Sequence, residues 1–247
     1  MLLFRTCIFI FLQAIMTLVF SFVNVVLLVT PFKHRYKISK QWAVINLWLL
    51  EKICGVRYEV KGLENISGAP SIIMCKHQSA WETLALQLIF PQQVWVLKRE
   101  LLWIPFFGWG LAALNPIAID RGAGRKALKQ IIEQGKIRLS SGSWVVIFPE
   151  GTRIPTGYVG RFGIGGAKLA VESGVSVIPV AHNAGKAWPK QGITKYPGTI
   201  DMVIGEAIAV KDQTASELNE QVYLWMEEQM TMLEGVQPEP IVKRNKR

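Results

Sequence analysis

Short apolar runs alternate with longer stretches of helical periodicity over most of the chain. Residues 72–75 and 143–148 are short apolar runs that end in polar turns, which is typical of buried strands. Residues 124–140 and 216–233 instead carry apolar side chains every three or four positions, the spacing of an amphipathic helix. Strands that alternate with helices predict an α/β domain, with a sheet flanked by helices, over residues 57–235.

Further elements follow from the same pattern. Strands are predicted at residues 57–62, 93–97, 116–119, 175–180 and 199–208, and helices at residues 80–89 and 165–173. Pro179 falls inside one of these strands and is expected to interrupt it, because proline lacks the N–H group that a strand donates to its neighbour.

The first 56 residues have a different character and predict a membrane anchor. Residues 6–32 form an uncharged stretch of 27 residues, and roughly 20 apolar residues are enough to cross a hydrocarbon core. A signal peptide would have a shorter apolar region of about 7–15 residues and a small-x-small cleavage site, so we interpret the stretch as a retained membrane helix. Basic residues follow it at Lys33, Arg35, Lys37 and Lys40. The positive-inside rule then predicts that the remaining chain lies on the cytoplasmic face of the cell inner membrane.

Residues 41–56 predict a second helix of this anchor. Apolar side chains form a single helical stripe there, at Trp42, Ile45, Trp48, Leu49 and Ile53. The segment is short for a membrane span, which favours an interfacial or re-entrant helix that completes a hairpin with the first helix. A core helix of the α/β domain is the alternative interpretation.

The charge balance narrows the range of partners. The chain has 28 Lys and Arg against 18 Asp and Glu, a net charge of +10, and its mean hydropathy is +0.26. Basic proteins suit nucleic acid, anionic membranes or anionic substrates. No helix-turn-helix or zinc-finger pattern is present, and nine tryptophans among many basic residues favour a bilayer interface over nucleic acid. Residues 236–247, which end in a basic run, are predicted to be a disordered tail that contacts anionic lipid.

Polar side chains follow four of the predicted strands, at the point where each strand ends. They are His77, Lys98, Arg121 and the segment 150–153. In an open α/β sheet, ligands bind in the crevice beyond the carboxyl ends of the strands. We therefore expect these side chains to converge on one rim of the sheet.

His77 and Glu82 form a candidate acid–base pair. Glu82 follows His77 by five positions, and a helix that begins near Ser79 would place Glu82 in its first turn, within reach of the imidazole. A carboxylate on one ring nitrogen fixes the tautomer and leaves the other nitrogen free to accept a proton. Taken alone, a histidine at a strand end is more often structural. The polar residues at the other strand ends are what favour a functional site here.

The segment 148–153, Phe-Pro-Glu-Gly-Thr-Arg, is a candidate anion site. Pro149 and Gly151 favour a tight turn that exposes backbone N–H groups, and the planar guanidinium of Arg153 can bind a phosphate bidentately. Glu150 could accept a substrate hydroxyl or brace a neighbouring base. An ordinary turn with a surface ion pair is the simpler alternative.

Residues 103–109 form an apolar, aromatic segment, Trp-Ile-Pro-Phe-Phe-Gly-Trp. The segment is too apolar for an ordinary exposed loop. It predicts a piece of the core, a lipid-facing lip or part of an acyl pocket.

Together these motifs resemble the 1-acylglycerol-3-phosphate acyltransferases of the glycerolipid acyltransferase superfamily. The resemblance covers residues 58–208, and the N-terminal helices also suit it. Its blocks occur in order at residues 76–82, 98–108, 115–121, 148–153 and 177–180. Singly the blocks are modest, but their order and spacing are highly specific. The chain departs from the family where Glu82 replaces the usual aspartate of the His-x4-Asp motif, and where Gly163 and Ile164 stand in place of common lysines.

The resemblance assigns roles to the site residues. It implies that His77 is the general base and Glu82 its orienting partner. The substrate-binding residues that it implies are Lys98, Arg121, Glu150, Gly151, Thr152, Arg153 and Pro179. Within this set, Lys98 and Arg153 would hold the glycerol phosphate, and Pro179 would shape the wall beside the acyl donor. No metal ion and no cofactor is implied, because acyl-CoA or acyl carrier protein brings the acyl group as a co-substrate.

The implied reaction is transfer of a fatty acyl group from a thioester to the sn-2 hydroxyl of 1-acyl-sn-glycerol 3-phosphate, which gives phosphatidate for phospholipid biosynthesis. The same motifs would serve another lysophospholipid or a lyso-aminolipid acceptor. A third interpretation is a non-catalytic membrane protein that binds anionic lipid in a basic pocket, and Glu82 in place of aspartate keeps it open. Replacing His77 with alanine would separate an acyltransferase from a lipid-binding protein, because lipid binding would survive the change and acyl transfer would not.

Overall fold

A seven-stranded sheet forms the centre of the computed structural model, which describes residues 1–66 and 68–241. The strands, in chain order, are β1 Val56–Lys61, β2 Ile72–Cys75, β3 Gln93–Lys98, β4 Ile117–Ile119, β5 Trp144–Ile147, β6 Tyr158–Val159, β7 Val177–His182, β8 Gly198–Ile204 and β9 Glu239–Pro240. The α-helices are α1 Leu2–Val26, α2 Phe32–Leu49, α3 Trp81–Ile89, α4 Phe107–Ala112, α5 Arg125–Ser140, α6 Gly165–Ser173 and α7 Ala215–Glu234. This architecture confirms the predicted α/β class.

Five neighbouring strands of the sheet, β7, β2, β5, β3 and β4, are parallel, and the last four precede predicted site residues. The order is β1–β8–β7–β2–β5–β3–β4, and β2, β5, β3 and β4 pair in parallel with their neighbours. Because the carboxyl ends of parallel strands meet at the same edge of a sheet, the segments that follow these four strands emerge on one rim. His77, Lys98, Arg121 and residues 150–153 therefore all leave the sheet at the same edge, as the sequence predicts.

Helices cover both faces of the sheet. Ile73 and Cys75 of β2 pack in the core layer with α2 and α3, whereas Ile72 and Met74 pack in the opposite layer with α5, α6 and α7. Every residue of β2 is buried, which explains why its sequence is a continuous apolar run and not an alternating one.

The second N-terminal helix belongs partly to the core. α2 begins at Phe32, earlier than the predicted start at residue 41, and continues as a π-helix, Leu50–Cys54. Ala43 and Leu47 are buried in the core layer that also contains α3, whereas Trp48 is exposed. One face of α2 therefore fits the core-helix alternative, and the opposite face presents apolar surface to solvent.

α1 lies against the α/β domain along much of its length. Phe9 is fully buried, and its ring packs edge-on against that of Trp188 with 5.5 Å between the centroids. Farther along, Gly110 of α4 approaches Ser21 so closely that a Cβ on the glycine would lie 2.9 Å from the Ser21 Cα. In the described part of the chain, Leu2–Val29 is the one helical stretch long and apolar enough to cross a membrane. Signal sequences and core helices meet the same criterion, so the stretch by itself does not establish an anchor.

β7 runs through Pro179 without a break, which makes the predicted interruption wrong. Pro179 pairs with Met74 of β2, and its carbonyl accepts the N–H of Gly205 at 2.9 Å. The residue thus keeps its acceptor in the ladder and gives up only the donor that proline lacks. Its ring lies in a buried layer that also contains Trp225, since a Cβ on Gly205 would meet both side chains.

The C-terminal segment is partly held against the domain. Glu239–Pro240 form β9 and pair in parallel with β6, and the Glu239 N–H donates to the Gly157 carbonyl at 2.9 Å. This part of the predicted disordered tail therefore has a defined strand pairing. Residues 242–247, which contain the basic run, lie outside the described residues.

The packing of α5 on α6 generates a stability prediction. A Cβ on Gly135 of α5 would lie 2.4 Å from Cδ2 of Leu169, which is fully buried on α6. We expect Gly135→Ala to lower the thermal unfolding midpoint by a few degrees, because overpacking costs about 1–3 kcal/mol. This exceeds the helix propensity of up to about 1 kcal/mol that alanine gains over glycine.

Gly68→Ala is the matched control for this measurement, since a Cβ there meets nothing within 4 Å. Both variants are compared with the parent protein by thermal unfolding in the same detergent. An unchanged or higher midpoint for Gly135→Ala would show that the Leu169 side chain yields without cost.

Candidate active site

His77 and Glu82 are in direct contact at the rim of the sheet. His77 lies in the turn after β2, and α3 begins at Trp81, so Glu82 falls in the first helical turn. The Nδ1 atom of His77 lies 2.7 Å from Oε1 of Glu82. The histidine side chain is 14% exposed and the glutamate is fully buried. The ring therefore faces the cleft with one edge and a buried carboxylate with the other.

Backbone N–H groups hold the Glu82 carboxylate in place. The N–H groups of Gln78 and Ser79 donate to Oε1 at 3.1 and 2.9 Å, and Ser79 also reaches Oε2 at 3.1 Å. Burial by itself would raise the pKa of Glu82, but the facing His182, His77 and the Ser79 N–H together hold that pKa below its usual value. The carboxylate is therefore an anion at neutral pH and accepts the Nδ1–H of His77. In a neutral imidazole that donates from Nδ1, the other ring nitrogen, Nε2, is an acceptor.

An aromatic face fixes the plane of the His77 ring. The ring of Phe148 stacks on it with 4.0 Å between the centroids and 13° between the planes. Trp95 of β3 backs Phe148 at 5.8 Å. The hydrogen bond to Glu82 and this stacking together leave the imidazole one orientation.

Glu150 braces the His77 backbone from a fully buried position. Its Oε2 accepts the His77 N–H at 3.0 Å, and its Oε1 accepts from the Nζ of Lys76 at 2.5 Å and from the Gly160 N–H at 3.1 Å. The side chains of Lys76 and Glu150 are both fully buried. The predicted role of Glu150 in substrate binding does not agree with this position, because both of its oxygens accept hydrogen bonds within the protein and its side chain is fully buried. Its other predicted role, as a brace for the base, agrees with this placement.

A second histidine lies behind the pair. His182 at the end of β7 is fully buried, donates from Nε2 to the Lys76 carbonyl at 2.9 Å, and accepts the Ala184 N–H at Nδ1. Burial lowers the pKa of His182 although the charge of Glu82, 3.8 Å away, opposes the shift. The ring is therefore neutral. Sequence reasoning gives it no role, and its place at the end of a strand next to β2 is the signal that could have identified it.

The predicted cationic residues do not form a single cluster. Arg121 donates from Nη1 to the carbonyl of Gly151, and Gly151 has a φ of +66°, which the tight turn requires. Lys98 is exposed and ion-paired with Glu100 at 3.1 Å. Within residues 1–66 and 68–241, the guanidinium of Arg153 has no hydrogen bond or ion pair, so it is available to a ligand.

Thr152 and Pro179 complete the predicted set. Thr152 is exposed on the turn between Gly151 and Arg153. Pro179 lies inside β7 and lines neither of the cavities beside His77. Its ring is buried and lies near the side chain of Trp225, and its role beside the acyl donor stays a prediction.

Two cavities lie near His77, each lined by one of its neighbours, Phe148 or Gln78. One has a volume of about 180 Å³ and is lined mostly by apolar side chains of β3, β4, β5 and α5, with Phe148, Arg121 and Gly151 also on its wall. The other, of about 350 Å³, begins at Gln78, the residue after His77. Among the described residues, no group of three His, Cys, Asp or Glu side chains is arranged to hold a metal ion. The site therefore places His77 near two largely apolar cavities, one with Arg121 on its wall and the other with Lys186 and Lys190.

The sheet topology and this pair define a class of enzyme. A histidine held by a buried carboxylate, with cations and an apolar cavity at the strand ends, is an arrangement suited to activating a hydroxyl for attack on an acyl group. The family model described as "Acyltransferase" matches residues 57–183, about half of the chain. The chain belongs to this acyltransferase family, which confirms the resemblance found in the sequence.

Named relatives agree with the family. A 1-acyl-sn-glycerol-3-phosphate acyltransferase of Pseudomonas aeruginosa is 49% identical over 223 residues, which cover 87% of each chain. A chloroplastic protein of the same name from Arabidopsis thaliana is 30% identical over 74% of this chain and 51% of its own length. The crystal structure of the 1-acyl-sn-glycerophosphate acyltransferase PlsC of Thermotoga maritima matches with a TM-score of 0.79 at 25% identity, and covers 94% of this chain and 95% of that one.

The neutral, buried His182 generates a prediction about pH and stability. In the unfolded chain a histidine has a pKa near 6.5, and in the folded protein the pKa of His182 is lowered, chiefly by burial. As pH falls below about 6.5, the unfolded chain binds a proton that the folded protein does not, so stability decreases. The limit for one proton is about 1.4 kcal/mol per pH unit. We expect His182→Asn to flatten the fall of the unfolding midpoint between about pH 7 and 5.

His34→Asn is the control, because His34 is exposed on α2. Thermal midpoints of the parent and both variants are measured at half-unit steps of pH. A parallel pH dependence for the parent and His182→Asn would contradict the neutral, buried state of this histidine.

Proposed function

We propose that the protein is a membrane-bound acyltransferase that moves a fatty acyl group from a thioester to the sn-2 hydroxyl of 1-acyl-sn-glycerol 3-phosphate. The product is phosphatidate, a precursor of phospholipids. The observation that carries the proposal is the His77–Glu82 contact at 2.7 Å, which leaves Nε2 free beside the cleft. The names of the relatives from Pseudomonas and Arabidopsis support the acceptor.

The proposed chemistry uses the substrate hydroxyl as nucleophile. Nε2 of His77 removes the hydroxyl proton while the oxygen attacks the thioester carbonyl carbon. Glu82 stabilises the imidazolium that forms, as the carboxylate of a hydrolase triad does. The tetrahedral intermediate then collapses, the C–S bond breaks, and the sulfur takes the proton back from His77. The products are an ester and a free thiol, and the base returns to its starting state without an acyl-enzyme or a cofactor.

The acceptor phosphate is proposed to bind at the rim beside Phe148. Arg121 donates to Gly151 on the wall of the apolar cavity. Arg153 is two residues after Gly151 on the same turn. A phosphate there would meet guanidinium donors, which bind it in a planar, bidentate geometry. Lys98 would contribute after release from Glu100, to which it is ion-paired at the surface. The apolar cavity next to these groups suits a hydrocarbon chain of a lipid substrate.

A continuous apolar surface supports membrane attachment. Trp103, Phe106 and Trp109 are 70%, 51% and 52% exposed, so the segment 103–109 is not part of the core. α4 packs against α1 at Ser21, and α1 exposes large apolar side chains at Phe4, Phe11, Val19 and Phe22. Exposed aromatic residues of this kind belong at a lipid interface. We therefore propose that this surface enters the inner membrane from its cytoplasmic face, where anionic lipid attracts the basic protein.

The proposed base generates the activity prediction. His77→Ala should lower phosphatidate formation by about 10²–10⁴-fold, the usual contribution of general base catalysis. Glu82→Gln should also lower it, because an amide does not stabilise the imidazolium. Glu82→Asp, which keeps the charge, should retain more activity than Glu82→Gln. The measurement is acyl transfer from labelled acyl-CoA to lysophosphatidate by purified protein in detergent.

His34→Asn is the control in this assay and should be as active as the parent. Full activity in His77→Ala would overturn the assignment of the base. A zwitterionic lysophospholipid and a lyso-aminolipid are assayed as competing acceptors, and a higher kcat/KM with either one than with lysophosphatidate would reassign the acceptor. Lipid binding without transfer to any acceptor would favour the non-catalytic interpretation.

A further inference from the structure

The larger of the two cavities carries two lysines on its wall, and none of the residues assigned to the acceptor lines it. Its volume is about 350 Å³, and its wall includes Gln78, Pro155, Thr156, Lys186, Pro189 and Lys190. No carboxylate belongs to this wall. The cavity is therefore a basic site of a size that takes part of a small-molecule ligand.

Two ammonium groups of this wall are anchored but not neutralised. Nζ of Lys190 donates to the Arg153 carbonyl at 2.7 Å, and Nζ of Lys186 donates to the Leu233 carbonyl at 3.2 Å. Within residues 1–66 and 68–241, neither lysine has a carboxylate partner within 4.0 Å. Each ammonium has three donors and uses one on a carbonyl. Both charges are thus held near the cavity with donors to spare.

The nearby acidic residue does not neutralise these lysines. Glu234, at the end of α7, accepts from Nε2 of Gln78 at 2.7 Å and from the Gly157 N–H at 2.6 Å. Its two oxygens are therefore used to hold the cavity wall. The local charge balance favours an anionic ligand.

The remaining wall suits an uncharged chain attached to that anion. Pro155 and Pro189 give apolar surface, and Thr156 gives a hydroxyl. Gly185 keeps this wall closely packed, because a Cβ there would lie 2.5 Å from Oγ1 of Thr156. Apolar walls with a few polar groups are typical of sites that bind a flexible organic chain.

Two connections join the cavity to the proposed base. Gln78 follows His77 directly, and the N–H of Ile154, the residue before Pro155, donates to the His77 carbonyl at 2.7 Å. The wall of this cavity is therefore joined to the main chain of His77 at two points. A reaction with two anionic substrates needs two sets of cations, and the set with Arg121 and Gly151 is assigned to the acceptor.

We propose that this cavity binds a phosphate of the acyl donor's carrier, with Lys186 and Lys190 as its ligands. The inference rests on the proposed function, since it names the site of the second substrate. In acyl-CoA the phosphate is either the 3′-phosphate of the nucleotide or a phosphate attached to the pantetheine arm, and the latter also occurs on acyl carrier protein. The thioester at the other end of the arm would then reach the cleft beside His77.

The test separates the two substrates by their KM values in the full-length protein. In Lys186→Ala/Lys190→Ala, we expect the KM for acyl-CoA to rise about tenfold, because hydrogen bonds from charged donors to phosphate are lost at a partly solvated site. The KM for lysophosphatidate and kcat should stay within about twofold, since neither ammonium group bonds to His77, and Lys190 bonds only the main-chain carbonyl of Arg153 and not its guanidinium. Added salt should raise the donor KM of the parent more than that of the variant.

Lys129→Ala/Lys136→Ala is the matched control. It removes the same two charges from α5, where these lysines pair with Glu133 and Glu172, and should leave both KM values unchanged. Acyl-dephospho-CoA identifies the phosphate: loss of the variant's effect with this donor assigns the 3′-phosphate, and persistence assigns the arm. An unchanged donor KM in the lysine variant, or an equal rise in the acceptor KM, would overturn the inference.

A failure of the proposed function can be distinguished from a failure of this inference. If the parent protein transfers no acyl group to lysophosphatidate, calorimetric titration with free CoA tests the cavity directly. About tenfold weaker CoA binding by the lysine variant than by the parent and the α5 control supports the inference. Equal affinities in all three proteins, or no CoA binding by the parent, refute it.

Discussion

The contact between His77 and the buried carboxylate of Glu82 is the constraint on which the rest of the site depends. An anion without solvent is costly unless hydrogen bonds replace its hydration. Here the replacements are hydrogen bonds from the N–H groups of Gln78 and Ser79. These groups point at the carboxylate because the chain turns from β2 into α3 at this point. The strand end, the turn and the helix start therefore together place these donors around one carboxylate. The same geometry gives His77 its tautomer.

A second buried carboxylate holds the other side of the base. Glu150 binds the backbone of His77 and forms a fully buried ion pair with Lys76. Such pairs contribute little net stability, because desolvation offsets the Coulomb attraction, but removing one partner leaves a costly unpaired charge. The value of this pair lies in position: it ties β2 to the turn after β5. The base is thus fixed at its ring by Glu82 and at its main chain by Glu150.

The sequence predicts the elements and the pair, and misses the contacts between distant segments. The apolar run 72–75 followed by His77 identifies β2, and the five-residue spacing identifies Glu82, because both signals are local. Glu150 and His182 lie 74 and 106 positions from Lys76, which each of them contacts, and no periodicity reports such a distance. Pro179 misleads for a related reason: its neighbours in the sheet, and not its own propensity, decide that β7 continues through it.

The position of the base between two unlike cavities follows from the same topology. Phe148 and Gly151, which follow β5, line one cavity, and Lys186, which follows β7, lines the other. Under the proposed function, a substrate that lives in a bilayer and one dissolved in water require different surfaces, yet both must reach Nε2 of His77. An apolar cavity at one side of a strand end and a basic cavity at the other meet both requirements. In the proposed arrangement, the α1 and α4 surface holds these cavities at the membrane.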